Sequence, residues 1–363
     1  MKFYPYSKQT IDQKEINAVI KTLKSDFITQ GPKILEFEKN FSNFVGSKYA
    51  VACSSGTAAL HLSCLALDLK KRSNVAVPTI TFLATANCTQ FSHDCNINFV
   101  DIEKNSACMS VEHLEKILKA KPISLVIVVH MSGQIVDLKK IYALKKKYGF
   151  KLIEDSCHAL GGYYFKTKIG SCSYSDISTF SFHPVKHITT GEGGMITTNN
   201  KEIYEKLILH RVHGMHKNSK NFSNKDYSFD EKNNPNRWYY EMSHLGYNYR
   251  ITDIQAAIGV EQLKKLDNFV YKRRKIAEIY NIEFKENPHI EIYKNNKYIF
   301  NVYHLYTILI DFKKIKKSRN KVMSELLNMG VGSQVLYIPV HKQPFYKKKI
   351  KNNLTLKNAE NYY

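Results

Sequence analysis

Apolar side chains recur at helical spacing in the first fifty residues. Residues 12–24 place a continuous apolar face on one side of a helix, and Asp12 stands where an N-cap is expected. That face consists of Ile16, Val19, Ile20 and Leu23. A turn at residues 28–32 separates this helix from a second predicted helix with the same apolar spacing.

From residue 49 onward, short apolar runs alternate with helical patterns. The runs predict strands at 49–53, 75–77, 97–100, 125–129 and 151–155. The intervening helices are predicted at 58–69, 82–91, 111–118 and 138–148. Because the strand runs are almost continuously apolar, the pattern indicates an α/β fold whose mostly parallel sheet is covered by helices on both faces.

The pattern changes after residue 175. Strands are predicted at 177–182 and 194–198, a helix at 201–209, a long exposed loop at 217–236 and a long helix at 252–280. The last hundred residues have the composition of a smaller α+β unit, with a helix at 318–328 and a strand at 331–338. We therefore predict a large domain over residues 1–249 and a smaller C-terminal domain over 250–363.

Composition adds a strong positive charge to this picture. Over 363 residues, 54 Lys and Arg exceed 32 Asp and Glu, which gives a formal net charge of +22. Such a charge can indicate binding to nucleic acid or to an anionic membrane. Here the lysines are scattered, no Arg-rich run with interleaved aromatics occurs, and the chain is rich in Asn and Ile. We favour compositional drift and expect no nucleic-acid or membrane partner, keeping a basic nucleic-acid-binding protein as a distant alternative.

The cysteines and the N-terminal residues indicate the cellular compartment of the protein. The seven cysteines are odd in number and include no C-x-x-C pair, which favours reduced thiols, and no zinc-ligand spacing occurs. The N-terminus lacks the apolar core of a signal peptide, and the most apolar run is too short to span a bilayer. The sequence thus predicts a cytoplasmic protein without a bound metal.

Lys186 is the first candidate for chemistry. It follows an apolar strand and a turn containing Pro184, and precedes a loop ending in Gly191, Gly193 and Gly194. Taken alone, most lysines are solvated surface charges. The functional alternative is a Schiff-base lysine, held on rigid backbone in a half-buried pocket that lowers its pKa.

Asp155 is the second candidate, at the carboxyl end of a predicted strand, where open parallel sheets bind ligands. It could simply cap the following helix. Pyridoxal phosphate, however, needs a carboxylate against its ring nitrogen so that the ring can act as an electron sink. Lys186 and Asp155 together are more specific for this cofactor than either is alone.

A phosphate site is predicted where a strand meets a helix at residues 54–60. The helix N-terminus offers free N–H groups, Gly56 allows close approach, and Thr57 supplies a hydroxyl. An ordinary capped strand–helix turn explains these residues equally well. Ser181 could add a second hydroxyl.

Seven segments together resemble the DegT/DnrJ/EryC1/StrS family of sugar aminotransferases, which have the fold of the aspartate aminotransferase superfamily (fold type I). The segments are residues 27–32, 55–60, 78–87, 154–161, 181–194, 246–257 and 337–341. The resemblance runs almost from end to end. It implies a pyridoxal-phosphate-binding large domain with a mostly parallel central sheet, followed by the smaller domain.

The resemblance also implies roles for single residues. Lys186 bonds covalently to the cofactor and moves the proton, Asp155 pairs with the ring nitrogen, and His158 lies near the phenolic oxygen. An aromatic ring, Phe82, stacks on the cofactor. The phosphate is held by Gly56, Thr57 and Ser181, and the substrate by Tyr6, Thr29, Tyr337 and His341.

Asn248 implies an oligomer. In the family this position reaches the phosphate of the neighbouring subunit's cofactor, so the resemblance implies a homodimer with shared sites. From the residues alone, Asn248 is predicted to be a turn residue between two tyrosines. The family pattern continues beyond residues 356–363 to a further strand and helix, so we also expect a truncated C-terminal domain.

Residues 156–161, His183 and residues 238–242 are similar to the aminotransferases of pseudaminic acid biosynthesis. This similarity implies transfer of an amino group from L-glutamate to C4 of UDP-2-acetamido-2,6-dideoxy-β-L-arabino-hex-4-ulose, giving UDP-4-amino-4,6-dideoxy-N-acetyl-β-L-altrosamine. Another UDP- or dTDP-linked 4-ketosugar remains an alternative substrate. Related sugar dehydratases carry His at the lysine position, so Lys186 argues for amino transfer.

Overall fold

The computed structural model describes residues 2–104, 106–293, 296–350 and 354–363. The helices are α1 (Gln13–Leu23), α2 (Pro32–Val45), α3 (Gly56–Ala66), α4 (Leu83–His93), α5 (Val111–Ala120), α6 (Leu138–Tyr148), α7 (Lys201–Arg211), α8 (Lys225–Ser228), α9 (Asp253–Phe284), α10 (Arg319–Asn328), α11 (Pro344–Lys349) and α12 (Lys357–Tyr362). Short 3-10 helices span Met131–Gly133, Ser219–Asn221 and Val340–Lys342.

The strands follow the predicted alternation in the first two hundred residues. They are β1 (Tyr49–Cys53), β2 (Asn74–Pro78), β3 (Asn96–Val100), β4 (Leu125–Val129), β5 (Lys151–Asp155), β6 (Tyr163–Tyr164), β7 (Thr167–Lys168), β8 (Ile177–Ser181), β9 (Gly194–Thr198), β10 (Met215–His216), β11 (Glu241–Met242), β12 (Ile290–Ile292), β13 (Ile299–Phe300) and β14 (Ile308–Ile310). The seven predicted strands up to residue 198 are confirmed to within one residue at each end.

Seven strands form one central sheet in the order β1-β9-β8-β5-β4-β2-β3. Strand β9 pairs antiparallel with both β1 and β8, so β1 and β8 run in the same direction. The pairs β8–β5, β5–β4, β4–β2 and β2–β3 are parallel. The mostly parallel sheet predicted from the sequence is confirmed, and six strands end at the same edge.

Both faces of the sheet are buried, as the continuous apolar runs require. Along β1, Val51 and Cys53 belong to one apolar cluster and Ala50 and Ala52 to another. The first cluster includes side chains from α3, α4, α5, α6 and α7, and the second includes side chains from α2 and α9. This three-layer arrangement makes the sheet a rigid platform for its carboxyl edge.

Helix α9 is 32 residues long and rises about 48 Å along its axis. It begins with a capping box in which the Thr252 hydroxyl accepts from the N–H of Gln255. Its first half packs against α2, where Gly259 faces the ring of Phe37. A Cβ atom at residue 259 would lie 2.6 Å from the nearest ring carbon, so only glycine permits this approach.

Helix α1 turns its polar side toward the protein. Glu15 is 1% exposed, and its carboxylate accepts hydrogen bonds from Lys265 Nζ (2.6 Å) and Gln262 Nε2 (2.7 Å) on α9. The predicted apolar face lies outward, and Ile16, Ile20 and Leu23 are 45%, 44% and 55% exposed. The predicted helix and the Asp12 cap are confirmed, but the face predicted from periodicity does not enter this chain's core.

The prediction of a strand at 331–338 is wrong. Among the described residues, the backbone there pairs only at an isolated bridge between Val331 and Tyr4, supported by hydrogen bonds from Tyr4 to Gly330 and from Gly332 to Tyr4. No longer strand in the described part of the chain lies alongside this segment, so the alternating side chains have no ladder to join. The domain boundary at residues 249 and 250 stays a prediction.

Among the described residues, no helix is both long and apolar enough to cross a membrane. All seven cysteines carry free thiols, and six of them are buried.

We expect Gly259→Ala to lower the free energy of unfolding by about 1–3 kcal/mol, because the added methyl group overlaps the Phe37 ring. The usual helix-stabilising effect of replacing glycine by alanine, about 0.5–1 kcal/mol, is too small to compensate. Urea denaturation measures the change.

The matched control for this substitution is made in a Phe37→Leu background. There the smaller side chain makes room, so Gly259→Ala should cost less than it does in the wild-type protein. Equal costs in both backgrounds would show that the α2–α9 contact does not exclude a side chain at residue 259.

Candidate active site

The carboxyl edge of the central sheet brings together most of the predicted cofactor residues. Asp155 ends β5 and Ser181 ends β8, while Gly56 begins α3 just after β1. Phe82 precedes α4, after β2, and Lys186 lies in the turn after β8. Because these strands run in the same direction, segments distant in sequence meet at one edge.

Asp155 is a buried carboxylate held by neutral donors. It is 5% exposed, and the Thr85 hydroxyl donates to its Oδ2 at 2.7 Å. The backbone N–H of Cys157 donates to Oδ1 at 3.2 Å. Since the Thr85 proton points to Asp155, the Thr81 hydroxyl, 2.8 Å from Thr85 Oγ1, donates in turn. These bonds orient the carboxylate without neutralising its charge.

Lys186 sits in a tight turn, where its backbone N–H donates to the carbonyl of His183 at 2.8 Å. Burial lowers the pKa of the Lys186 amine, and the nearby Cys157 thiol and Asp155 carboxylate only partly oppose this shift. A lowered pKa increases the fraction of neutral, nucleophilic amine at neutral pH. The lysine thus meets the physical requirement for a Schiff-base nucleophile.

His158 lies in the segment that follows β5, at the same edge of the sheet. Its Nδ1 accepts from the backbone N–H of Ser132 at 3.3 Å, and its ring packs on that of His304 with a centroid distance of 4.3 Å. Burial holds the pKa of His158 well below its usual value, and the charge of Lys186 and the nearby His187 lower it further. The imidazole is therefore neutral at physiological pH.

Gly56 and Ser181 form a narrow cradle at the start of α3. A Cβ atom on Gly56 would lie 2.8 Å from Ser181 Cβ and 3.1 Å from its Oγ. The Ser55 hydroxyl caps the helix by accepting from Ala58 at 3.1 Å. In such a first turn the N–H groups of Gly56 and Thr57 have no intrahelical acceptor, and they lie at the positive end of the helix dipole. The cradle suits a phosphate group.

Two aromatic rings stand above this edge. Phe82 is 57% exposed, and its ring centroid lies 6.2 Å from that of Tyr337 at an angle of 60°. Burial raises the pKa of Tyr337, and the neighbouring charge of Asp155 and proximity to Tyr6 raise it further. The structure therefore places Tyr337 near Asp155, and Phe82 and Tyr6 beside Tyr337.

Two predicted substrate residues lie apart from this group. Thr29 is exposed and pairs through its backbone with Thr252. His341 is buried, with its Nδ1 2.6 Å from the Thr79 hydroxyl and its Nε2 3.7 Å from Glu360. Among the described residues, no hydrogen bond, ion pair or ring contact joins either side chain to Lys186. Their roles in substrate binding stay predictions.

Asn248 is exposed and bridges to Val212 through its backbone. The next residue, Tyr249, accepts at its carbonyl from the N–H of Ser54, beside the cradle. The segment carrying Asn248 therefore lies against the start of the cradle, while the Asn248 side chain faces outward. Its predicted reach into a second subunit stays a prediction.

Four residues of this site were not identified from the sequence: Thr81, Thr85, Ser132 and His304. The spacing of Thr81 and Thr85, four residues apart after a strand, could have indicated hydroxyls on one side of a helix start. His304 offered no local signal, because only the fold carries it to His158.

A family model described as the DegT/DnrJ/EryC1/StrS aminotransferase family matches residues 9–363. The chain is 39% identical over 360 residues to the UDP-4-amino-4,6-dideoxy-N-acetyl-beta-L-altrosamine transaminase of Campylobacter jejuni, covering 99% of this chain and 89% of that protein. It is similar in structure to Helicobacter pylori PseC, an aminotransferase involved in the biosynthesis of pseudoaminic acid (TM-score 0.89, 31% identity, 100% and 92% covered).

A second solved structure, Spr1654 from Streptococcus pneumoniae in its PLP form, matches with a TM-score of 0.86 and 25% identity, covering 99% of this chain and 91% of that one. The fold is that of the fold type I transferases, which use pyridoxal phosphate. The residues present fit this cofactor. A half-buried amine of lowered pKa can bond its aldehyde, a buried carboxylate can face its ring nitrogen, and the cradle, which a Cβ would fill, can take its phosphate.

Thr85→Val should lower the free energy of unfolding of the cofactor-free protein by about 1.5–3 kcal/mol, because the buried Asp155 carboxylate loses a donor. Thr85→Ser keeps the hydroxyl and should be near wild type. Chemical denaturation of the three proteins at neutral pH makes the comparison. Equal stability of the Val and Ser variants would contradict the assigned hydrogen bond.

Proposed function

The chain belongs to the DegT/DnrJ/EryC1/StrS aminotransferase family and is a pyridoxal-phosphate-dependent nucleotide-sugar aminotransferase, and from this premise we propose its substrates. It transfers the amino group of L-glutamate to C4 of UDP-2-acetamido-2,6-dideoxy-β-L-arabino-hex-4-ulose. The product is UDP-4-amino-4,6-dideoxy-N-acetyl-β-L-altrosamine. Similarity to the Campylobacter transaminase and to PseC supports this choice of sugar.

The observation that carries the chemistry is the Lys186 amine, half-buried near Asp155 with a lowered pKa. Pyridoxal phosphate, when bound, supplies the aldehyde that takes up the amino group and the ring that accepts electrons from the reacting carbon. Lys186 would hold the aldehyde of the bound cofactor. Its neutral amine would take a proton from Cα of glutamate in one half-reaction, and its protonated form would deliver a proton to C4 of the sugar in the other.

Asp155 and His158 set the electrostatics of the proposed site. The Asp155 carboxylate, fixed by Thr85 and the Cys157 N–H, faces the ring nitrogen and stabilises its protonated form. His158, neutral because it is buried near Lys186, offers a hydrogen bond rather than a second positive charge to the phenolic oxygen. Phe82 covers the ring, and the cradle holds the phosphate.

We also propose a homodimer with shared active sites. The segment leading to Asn248 exposes large apolar side chains, and Trp238, Met242 and Leu245 are 67%, 61% and 76% exposed. Exposed apolar groups this close together indicate a contact surface. In a twofold dimer the same segment of each subunit is covered, and Asn248 can approach the partner's phosphate. The outward apolar face of α1 is a second surface available for burial.

We place the enzyme in the cytoplasm, where seven free thiols are stable against oxidation. The net charge of +22 favours association with anionic substrates, and both glutamate and a UDP-sugar are anionic at neutral pH.

Product identification tests the substrate. Incubation with L-glutamate, pyridoxal phosphate and the UDP-linked 4-ketosugar should give the 4-amino sugar and 2-oxoglutarate, detected by mass spectrometry. Lys186→Ala should give neither product and should lack the visible absorbance of lysine-bound cofactor. Parallel reactions with other UDP- and dTDP-linked 4-ketosugars decide specificity. Faster conversion of one of these would replace the proposed sugar, and normal turnover by Lys186→Ala would remove the proposed mechanism.

Mixed dimers test the shared site. Lys186→Ala and Asn248→Ala subunits should each have little activity alone. After mixing under subunit exchange, a mixed dimer contains one site in which both residues are intact if Asn248 acts across the interface. We therefore expect activity to return on mixing, measured as 2-oxoglutarate release. Mixing each variant with itself is the control, and no recovery despite demonstrated exchange would place Asn248 in its own subunit's site.

A further inference from the structure

The two ring nitrogens of His158 have different surroundings. Nδ1 accepts a hydrogen bond from the backbone N–H of Ser132 at 3.3 Å. A neutral imidazole whose Nδ1 is an acceptor carries its proton on Nε2. Among the described residues, Nε2 has no hydrogen-bond partner, so it is the nitrogen left to meet a ligand. The Ser132 N–H therefore selects the tautomer in which His158 is a donor.

The turn that supplies this N–H is strained. Ser132 has φ +56° and ψ +11°, a left-handed conformation that is unfavourable for a non-glycine residue unless its surroundings stabilise it. The Ser132 hydroxyl lies 2.8 Å from that of Thr307, and these two groups hydrogen-bond. The following residue, Gly133, packs so closely that a Cβ would lie 2.4 Å from Asn301 Oδ1. Residues from the last third of the chain thus hold the turn in place.

The same part of the chain supplies a ring against His158. His304 is 2% exposed and packs on His158 with a 34° angle between the ring planes. Its own backbone is anchored, because its carbonyl accepts from the Arg273 guanidinium at 2.9 Å. Burial lowers the pKa of His304 well below its usual value, and the nearby His158 and Lys186 reinforce this, so two neutral rings are in contact.

We propose that His304 and Thr307 are positioning residues for His158: the ring of His304 fixes its plane, and Thr307, through Ser132, fixes its tautomer. The inference rests on the role proposed for His158 beside the cofactor's phenolic oxygen. With Nε2–H directed outward, His158 donates a hydrogen bond to that oxygen and favours its deprotonated form. The opposite tautomer would present a lone pair there and repel it.

This arrangement also links the two halves of the chain. Ser132 and His158 belong to the segments that follow β4 and β5, whereas His304 and Thr307 lie just before β14. The C-terminal part therefore contributes to the orientation of a group at the sheet edge.

Nitrogen-15 NMR of the histidine rings tests the proposal on the full-length protein, as purified and after removal of the cofactor. His158→Gln identifies the His158 signals. In the wild-type protein we expect one tautomer, with Nδ1 unprotonated and Nε2 protonated. In Thr307→Val and His304→Ala we expect the two nitrogen shifts to move toward each other as the tautomers mix.

Conservative variants separate positioning from general damage. Thr307→Ser keeps the hydroxyl and should keep the single tautomer. His304→Phe keeps an aromatic ring and should keep a larger fraction of that tautomer than His304→Ala does. Thermal unfolding establishes that each variant is folded, and if one of the two disruptive variants does not fold, the other decides. An unchanged single tautomer in a folded Thr307→Val or His304→Ala protein overturns the role of that residue.

The test does not depend on the proposed sugar. If the assay with the UDP-linked 4-ketosugar fails while the tautomer responds as expected, the positioning role stands and the substrate assignment is wrong. If turnover occurs and the tautomer does not respond, the substrate assignment stands and the positioning role is wrong.

Discussion

The placing of an amine near a buried carboxylate at one sheet edge is the constraint on which the rest of the site depends. Asp155 cannot leave its place without losing the Thr85 and Cys157 donors, and burial destabilises the Lys186 amine as a cation. This environment favours the neutral, nucleophilic form of the lysine, and the two donors orient the carboxylate. It exists because six strands end at the same edge and both faces of the sheet are covered.

The support of the site extends outward through hydrogen bonds rather than further charges. Thr81 supports Thr85, and Thr85 supports Asp155, while the Ser132 turn and the ring of His304 support His158. Such neutral partners orient a functional group without changing its charge. Orientation set in this way is rigid, so the geometry is in place before a substrate arrives.

The surface of the single chain leaves apolar side chains exposed, whereas its core is buried. Helix α1 buries Glu15 through Lys265 and Gln262 while its apolar residues face outward. The ion pair and the hydrogen bond offset the cost of burying the carboxylate. In the proposed dimer, this outward apolar face is available to a partner surface. Periodicity can locate such a face, but it does not distinguish a protein's own core from an interface.

The sequence by itself determined the seven strands of the central sheet and the order of the helices around them, because buried parallel strands and amphipathic helices are local patterns. It did not predict the short strands β6 and β7. It proposed Lys186, Asp155 and the Gly56 turn as site residues, since each follows a strand end and belongs to a recognisable segment. Only the tertiary structure decided that Thr85 holds Asp155, that His304 packs on His158 and that Thr307 bonds to Ser132. It also showed that residues 331–338 form no strand. These outcomes depend on contacts between residues far apart in the chain, and such contacts leave no periodic signal in the sequence around either partner.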